Sequence, residues 1–424
     1  MNRRKFINLI SATGVAATIA GVPSILAAKN SLANAPAPLP PSKPLLKGTP
    51  AVFAPTENSI TVSIPLAAPA LVWIEYGETP QLDAIARADS FGFVPHDNAV
   101  VKIPIRNLKS GARYYWRSVV KPALPYIGNL DAGRLGNPEE IRSKIYTTQT
   151  LSPRARETCF SVWNDTHDNH ETIRTLHATR KGDDDFLLWN GDMSNNVNDR
   201  KLLAPLYVCP PGVDLADGPP VLVTRRNHDV RGLWANKMSD YVEYPDGPRP
   251  WYAFRSGPVG IIALDTGEDK PDAHRSFRGV AAFEPLIREQ AAWLDEIVRR
   301  PDLRDAPYRV VICHIPLRWT DETPPDYAGK GFDHFSLRGR LAWHDALVRW
   351  GAQVVVSGHT HNHAWLPPTR EYPYGQLVGG GPQMERAALI RIHANPERLY
   401  LRMARLQDGT TLQDLNFKPL VKVA

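Results

Sequence analysis

The chain has 424 residues, 43% of them hydrophobic and 22% charged, an ordinary globular composition with room for two domains and an export segment. Its formal net charge of +6 includes Arg3, Arg4 and Lys5 at the extreme N-terminus, and the small remainder gives no argument for a nucleic-acid partner. Three cysteines, Cys159, Cys209 and Cys313, argue against a disulfide scaffold and lack metal-finger spacing.

Asn2-Arg3-Arg4-Lys5 precedes an uncharged stretch from Phe6 to Ala28 that ends in small residues, the pattern of a secretory signal. The paired arginines followed by Lys5-Phe6-Ile7 resemble a twin-arginine signal over residues 1–28. That resemblance implies recognition by the twin-arginine export machinery and a periplasmic or secreted location. Gly14, Gly21 and Pro23 make the stretch a poor permanent membrane span. Residues 29–49, rich in Ala and Pro, read as a semi-rigid linker.

From about 50 to 150 the signals are β-type. Ile60, Val62 and Ile64 alternate with polar residues, as do Val101, Ile103 and Ile105; Leu71, Trp73 and Tyr76 lie between them, and Tyr114-Tyr115-Trp116 and Ile145–Thr148 follow. Short alternating runs broken by turn residues predict an antiparallel sandwich. The segment Leu108–Trp116 resembles a strand entry of fibronectin type III modules. No catalytic cluster falls here, which suits a packing or substrate-flanking module.

Beyond 155, strand-like and helix-like segments alternate, as in α/β proteins. Val259–Leu264 reads as a buried strand ending at Asp265-Thr266. Ala291, Leu294 and Ile297-Val298 keep helical spacing, as do Trp343, Ala346-Leu347 and Trp350. Ala388–Ile392 and Leu399–Met403 read as paired strands around Asn395-Pro396-Glu397. Cys159 and Cys313 adjoin apolar runs and are expected to be buried core thiols.

Five apolar runs end in polar clusters. Cys159–Trp163 leads to Asp165-Thr166-His167, Phe186–Trp189 to Gly191-Asp192, and Val221–Val223 to Asn227-His228-Asp229. Val310–Ile312 leads to Cys313-His314, and Val354–Val356 to Gly358-His359-Thr360-His361. Ligand sites of open α/β sheets lie beyond the carboxyl ends of the strands, so these clusters predict one convergent site. Asp, His and Asn suit hard or borderline divalent metals.

In this order the clusters resemble the motifs of the calcineurin-like metallophosphoesterases, which include the purple acid phosphatases, over roughly residues 155–405. The resemblance implies an α/β metallophosphoesterase fold over 155–424, two packed mixed sheets flanked by helices, preceded by the all-β sandwich of 50–150. It implies two divalent or mixed-valence metal ions, with Fe, Mn and Zn left open. Asp192 is then the bridging carboxylate; Asp165, His167 and His361 complete one metal's shell, and Asn227, His314 and His359 the other's. A metal-bound hydroxide would attack the phosphorus of a small phosphate ester, and the motifs do not separate monoesters from diesters. The implied role of His228 is to stabilise phosphoryl oxygens and protonate the leaving group, with Asp229 fixing its tautomer. The alternative is a non-catalytic cell-envelope binding module retaining the fold, against which the intact ligand set argues.

The chain departs from that pattern in two ways. Purple acid phosphatases carry a tyrosine ligand three residues after the bridging aspartate, where this chain has Asn195, and they lack the histidine present here as His167. One ligand replaces the other, so the iron–tyrosinate colour is expected to be absent. Arg226 stands where the family usually has glycine, and Arg225 or Arg226 is a candidate to face the phosphate. Asp168, Asn169, His170 and His363 are further candidates to line the pocket. Long loops are expected over 193–219, 230–257 and 318–339, with Trp234, Trp319 and Tyr327 as pocket-shaping aromatics.

Overall fold

The computed structural model describes residues 44–96, 99–123, 138–180, 182–319 and 333–421. The expected export signal, most of the linker, and Tyr327 lie outside them. Alternation of β-branched and aromatic residues with polar ones builds the first strands. These are β1 (Ala51–Phe53), β2 (Ser59–Pro65), β3 (Ala70–Gly77), β4 (Ala84–Ala86), β5 (Val100–Arg106), β6 (Arg113–Pro122), β7 (Ile141–Arg142) and β8 (Tyr146–Gln149). Strands and helices then alternate: β9 (Thr158–Trp163), α1 (His170–Ala178), β10 (Phe186–Asn190), α2 (Leu203–Tyr207), β11 (Val221–Thr224), α3 (Met238–Tyr241), β12 (Tyr252–Ser256) and β13 (Val259–Leu264). The rest are α4 (Phe283–Ile297), α5 (Pro301–Arg304), β14 (Tyr308–Cys313), α6 (Asp333–Trp350), β15 (Val354–Ser357), β16 (Ala364–Leu366), β17 (Gly375–Val378), β18 (Ala388–Ala394), β19 (Leu399–Arg405) and β20 (Thr411–Phe417).

Two mixed sheets carry the site. One runs β20-β19-β18-β9-β10-β11-β1-β2-β5 and the other β12-β13-β14-β15-β17-β16. Within the first, β9, β10 and β11 are parallel, with Leu188 opposite both Val162 and Leu222. Within the second, β13, β14, β15 and β17 are parallel. Parallel strands are buried on both faces, and the second sheet shows why their sequences read as continuous apolar runs. Ile261, Val310, Ile312, Val354 and Val356 join the core between the sheets. Ile262, Leu264, Val311, Cys313 and Val355 instead pack against Leu294 of α4 and Trp343, Leu347 and Trp350 of α6.

The N-terminal strands do not stand apart. β1 runs parallel to β11, pairing Phe53 with Val221, so β1, β2 and β5 prolong the first sheet. Their outer face, with Val62, Ile64 and Ile103, packs on a sheet of β4-β3-β6-β7, with β8 also on β6, through Val72, Ile74 and Trp116.

Cys313 is buried as expected, but Cys159 is only half-buried. Its Sγ lies on the outer face of β9, 3.3 Å from Arg391 and 3.5 Å from Asp184, because only a long polar side chain covers that face. Of the expected long loops, 193–219 holds α2, and 230–257 holds α3 and all of β12.

Candidate metal centre

Each motif begins where a parallel strand stops, and in three of the five the backbone there is bent into the left-handed region. Asp165 (φ 56°), His167 (44°), Asp168 (62°), Asp192 (47°), His359 (73°) and His361 (53°) all adopt it without being glycine. Such conformations cost roughly 1–3 kcal/mol each and persist only where surrounding contacts enforce them. Here the loops brace one another: His167 N donates to Asp192 O (2.8 Å), and Asp168 N to Met193 O (3.0 Å). His359 N donates to both carboxylate oxygens of Asp165, at 2.8 and 3.0 Å. Gly358 is required by this approach, since a Cβ there would sit 2.3 Å from Asp165 Oδ2.

The bends aim side chains at one place. His361 Nε2 and His314 Nε2 each lie 3.5 Å from Asp165 Oδ1. From Asp192 Oδ2, His314 Nε2 is 3.0 Å away and His167 Nε2 is 3.4 Å away. His167 Nε2 and His361 Nε2 are themselves 3.0 Å apart. Three overlapping groups result: Asp165–His167–His361, His167–Asp192–His228 and Asp192–His314–His359. Asp165 and Asp192 are fully buried, and among the described residues no Lys or Arg pairs with either.

The tautomers follow from partners that can only accept. His314 Nδ1 donates to Asn190 O (2.9 Å), which leaves a lone pair on Nε2 facing two carboxylates. His167 Nδ1 donates to Asn195 Oδ1 (3.2 Å), which points its Nε2 lone pair at His361 and Asp192. Lone pairs and buried carboxylates aimed at each other repel unless a cation lies between them. Both side-chain polar atoms of Asn227, beside His228, are buried with no hydrogen-bond partner, as is His314 Nε2. An orphaned carboxamide, imidazoles held by Nδ1–H and paired carboxylates are the donor set a divalent ion takes, so the residues present fit metal.

The titration of the cluster shows the same need for positive charge: His314, which burial lowers, is on balance raised by Asp192 and Asp165. Burial by itself raises the Asp192 carboxyl, but the His314 and His167 imidazoles outweigh it and hold the group well below the usual carboxylate range. Asp165 is likewise lowered, by His314 and His361 against burial. Burial, aided by neighbouring His314, pushes His359 down to about 4, so its ring is neutral at pH 7 and able to ligate. Asp229 goes the other way, raised to about 8 by burial and the nearby Asp192.

The remaining predicted residues are placed differently. Asp229 makes no hydrogen bond to the His228 ring: its carboxylate accepts from the backbone amides of Met193, Ser194 and Arg226 at 3.1, 3.2 and 3.3 Å. It ties two motif loops together, while His228 Nδ1 donates to Asn195 O at 3.0 Å. Arg225 pairs with Asp265 (2.7 Å), and the wholly buried Arg226 spends its guanidinium on Arg225 O and Asn190 Oδ1, so neither is bonded to the cluster carboxylates. Arg226 bonds Asn190 Oδ1 at 3.0 Å, and its stem lies over Gly191 so closely that a Cβ there would fall 1.7 Å from Cγ. The missing glycine before Asn227 is thus answered by the glycine of the neighbouring motif. Asp168 accepts from Asn195 N (3.1 Å), Asn169 caps α1, and His363 bonds Arg386 O (2.8 Å). Trp319 lies with its ring 6.3 Å from that of His359, whereas Trp234 packs partly against the core.

Sequence reasoning passed over Arg231, whose Nη1 is 3.0 Å from His228 Nε2. No local signal marks it, because the Glu268 and Asp269 that hold it come from the loop after β13.

Two packed mixed sheets with a buried carboxylate–imidazole cluster at the carboxyl ends of their parallel strands define a metal-dependent phosphoesterase fold. Residues 160–363 match the family model described as calcineurin-like phosphoesterase. Over that span the chain is similar to that family, and it is a metal-dependent phosphoric ester hydrolase. Purple acid phosphatase 21 of Arabidopsis thaliana is 26% identical over 329 residues, 74% of this chain and 67% of that protein. A purple acid phosphatase from yellow lupin (Lupinus luteus) seeds superposes with a TM-score of 0.63 at 13% identity, covering 87% of this chain and 74% of that one. PhoD superposes with a TM-score of 0.58 at 14% identity, covering 90% and 94%.

Proposed function

We propose that this protein is an exported phosphatase that hydrolyses phosphate esters at a dinuclear metal centre. The observation that carries the reading is the convergence of the His314, His167 and His361 Nε2 atoms on buried Asp165 and Asp192, with no Lys or Arg among the described residues paired to either carboxylate. Asp165, His167 and His361 would hold one ion and Asn227, His314 and His359 the other, with Asp192 shared by both. Metal ions held there supply Lewis acidity toward phosphoryl oxygens and an acidified water.

The chain's own residues do the rest. Asn190 and Asn195 fix the rings of His314 and His167 by their Nδ1 protons. Asn195 O fixes His228 in the same way, leaving a lone pair on Nε2 that accepts from Arg231 Nη1 at 3.0 Å; to protonate a leaving group the ring would have to take a second proton there. Neutral Asn227 limits the negative charge of the cage, which keeps it receptive to an anionic substrate.

The test is metal analysis joined to assays with p-nitrophenyl phosphate and bis-p-nitrophenyl phosphate after loading with Fe, Mn or Zn. The expected result is close to two ions per chain and hydrolysis that requires them; a protein that binds none and hydrolyses neither ester overturns the reading. The export proposal rests on the paired arginines of residues 1–28. Arg3→Lys with Arg4→Lys should retain the protein in the cytoplasmic fraction, and unchanged export would remove that part.

A further inference from the structure

Arg231 is placed where a substrate phosphoryl group would meet it. It reaches back across the Asn227–Arg231 turn so that Nη1 lies 3.0 Å from His228 Nε2, and the His228 ring stacks edge-on against His167 at 4.6 Å. His228 in turn belongs to one ligand group with His167 and Asp192. The guanidinium is therefore one imidazole away from the carboxylate–imidazole cluster.

Its orientation is fixed from behind. Nε and Nη2 bind the two oxygens of Glu268, the latter at 3.1 Å, and Nη2 also reaches Asp269 at 2.8 Å. Both carboxylates are largely buried, so they hold the fork tightly. With Lys270 paired to the same two acids, the four formal charges sum to zero, and what the guanidinium offers is directional.

Of the five N–H donors of an arginine, Nε–H and both Nη2 hydrogens are used on these acids, and one Nη1 hydrogen meets His228. The second Nη1 hydrogen has no acceptor among the described residues.

A phosphate monoester has three non-bridging oxygens, and a diester has two. With two oxygens engaged by the metal-binding cluster, the third position is an anionic acceptor in a monoester and an esterified oxygen in a diester. We propose that Arg231 Nη1 is the donor for that third non-bridging oxygen and that it makes the centre select monoesters over diesters. The inference rests on the phosphoesterase reading above. A donor held in a fixed direction and left unmatched by the wrong substrate gives discrimination, whereas shape alone gives little.

The experiment compares the metal-loaded wild type with Arg231→Ala, Arg231→Lys and Glu268→Gln. It reads kcat/KM on p-nitrophenyl phosphate and on bis-p-nitrophenyl phosphate, and the affinity for inorganic phosphate by calorimetry. Wild type should prefer the monoester, and Arg231→Ala should lose about 100-fold on the monoester but no more than about threefold on the diester. Phosphate affinity should fall by about tenfold or more in the same variant, and Arg231→Lys should be intermediate. Glu268→Gln keeps the guanidinium but loosens it, and should lower the monoester-to-diester ratio even if Arg231→Ala fails to fold. A wild type that prefers diesters, or equal losses on both esters with phosphate affinity unchanged, overturns the role of Arg231. Absence of metal and of all hydrolysis in the wild type would instead sink the underlying reading.

Discussion

Asn195 grips His167 twice: its Oδ1 accepts from the ring Nδ1 at 3.2 Å while its Nδ2 donates to the His167 carbonyl at 2.9 Å. The carbonyl can only accept, so the carboxamide has one orientation, and that orientation puts the proton on Nδ1 and frees Nε2 for metal. The same residue's own carbonyl takes the Nδ1 proton of His228 at 3.0 Å. Position 195 thus supports His167, the candidate ligand beside it.

Asn195→Ala should therefore weaken metal binding while sparing His228, whose partner is backbone. Loss of such an outer partner typically costs 10–100-fold in metal affinity or activity. Competition with a chromophoric chelator measures it; Asn195→Asp, which restores an acceptor, should recover most of the loss.

Asp192→Asn keeps the size of the carboxylate proposed to be shared between the ions and removes its charge. It should abolish hydrolysis and lower the metal content. Chelation should lower the melting temperature of wild type far more than that of the variant, since ligand at about 100 times its Kd stabilises by ~2.7 kcal/mol. Scanning calorimetry with and without chelator checks both.

Asp229→Ala strips the acceptor from three buried amides, those of Met193, Ser194 and Arg226. Each unsatisfied buried donor costs about 1–3 kcal/mol, so a loss of roughly 3 kcal/mol or more is expected in urea unfolding. His228→Ala, in contrast, should lose activity with little change in stability.

His177, near the end of α1, is lowered below its ordinary value of 6.5, chiefly by burial, while Nε2 donates to Asp214 O at 2.9 Å. A depressed histidine binds its proton more tightly in the unfolded chain, so its contribution is full above pH 6.5 and declines as pH falls toward the lower folded value. Unfolding free energies of His177→Gln should fall less between pH 7.5 and pH 5 than those of wild type. An identical slope in the two proteins would show that His177 plays no part.

Strands were legible wherever apolar runs were bounded by turn residues. Val259–Leu264 and the β18–β19 pairing, with Ala394 opposite Leu399, stand where periodicity put them. The alternation at Ile60, Val62 and Ile64 marked a strand, but not that β1 and β2 would extend the sheet of β11 through Phe53 and Val221. Period 2 reports which face is buried and says nothing about which strand lies alongside.

The site divides in the same way. Residue types and their positions at strand ends are local, and they sufficed to name the carboxylates and imidazoles that the structure gathers. The roles of the charged residues between them were not. Arg226 goes inward because Gly191, from another strand, leaves room for it. Asp229 turns to backbone amides rather than to His228, and Arg231 faces the cluster because Glu268 and Asp269 approach from the loop after β13. By itself the sequence determined a strand-end set of candidate metal-binding side chains. Only the tertiary structure decided their tautomers and which cation stands beside them, because hydrogen bonds between loops far apart in sequence are set by the packing of the sheets.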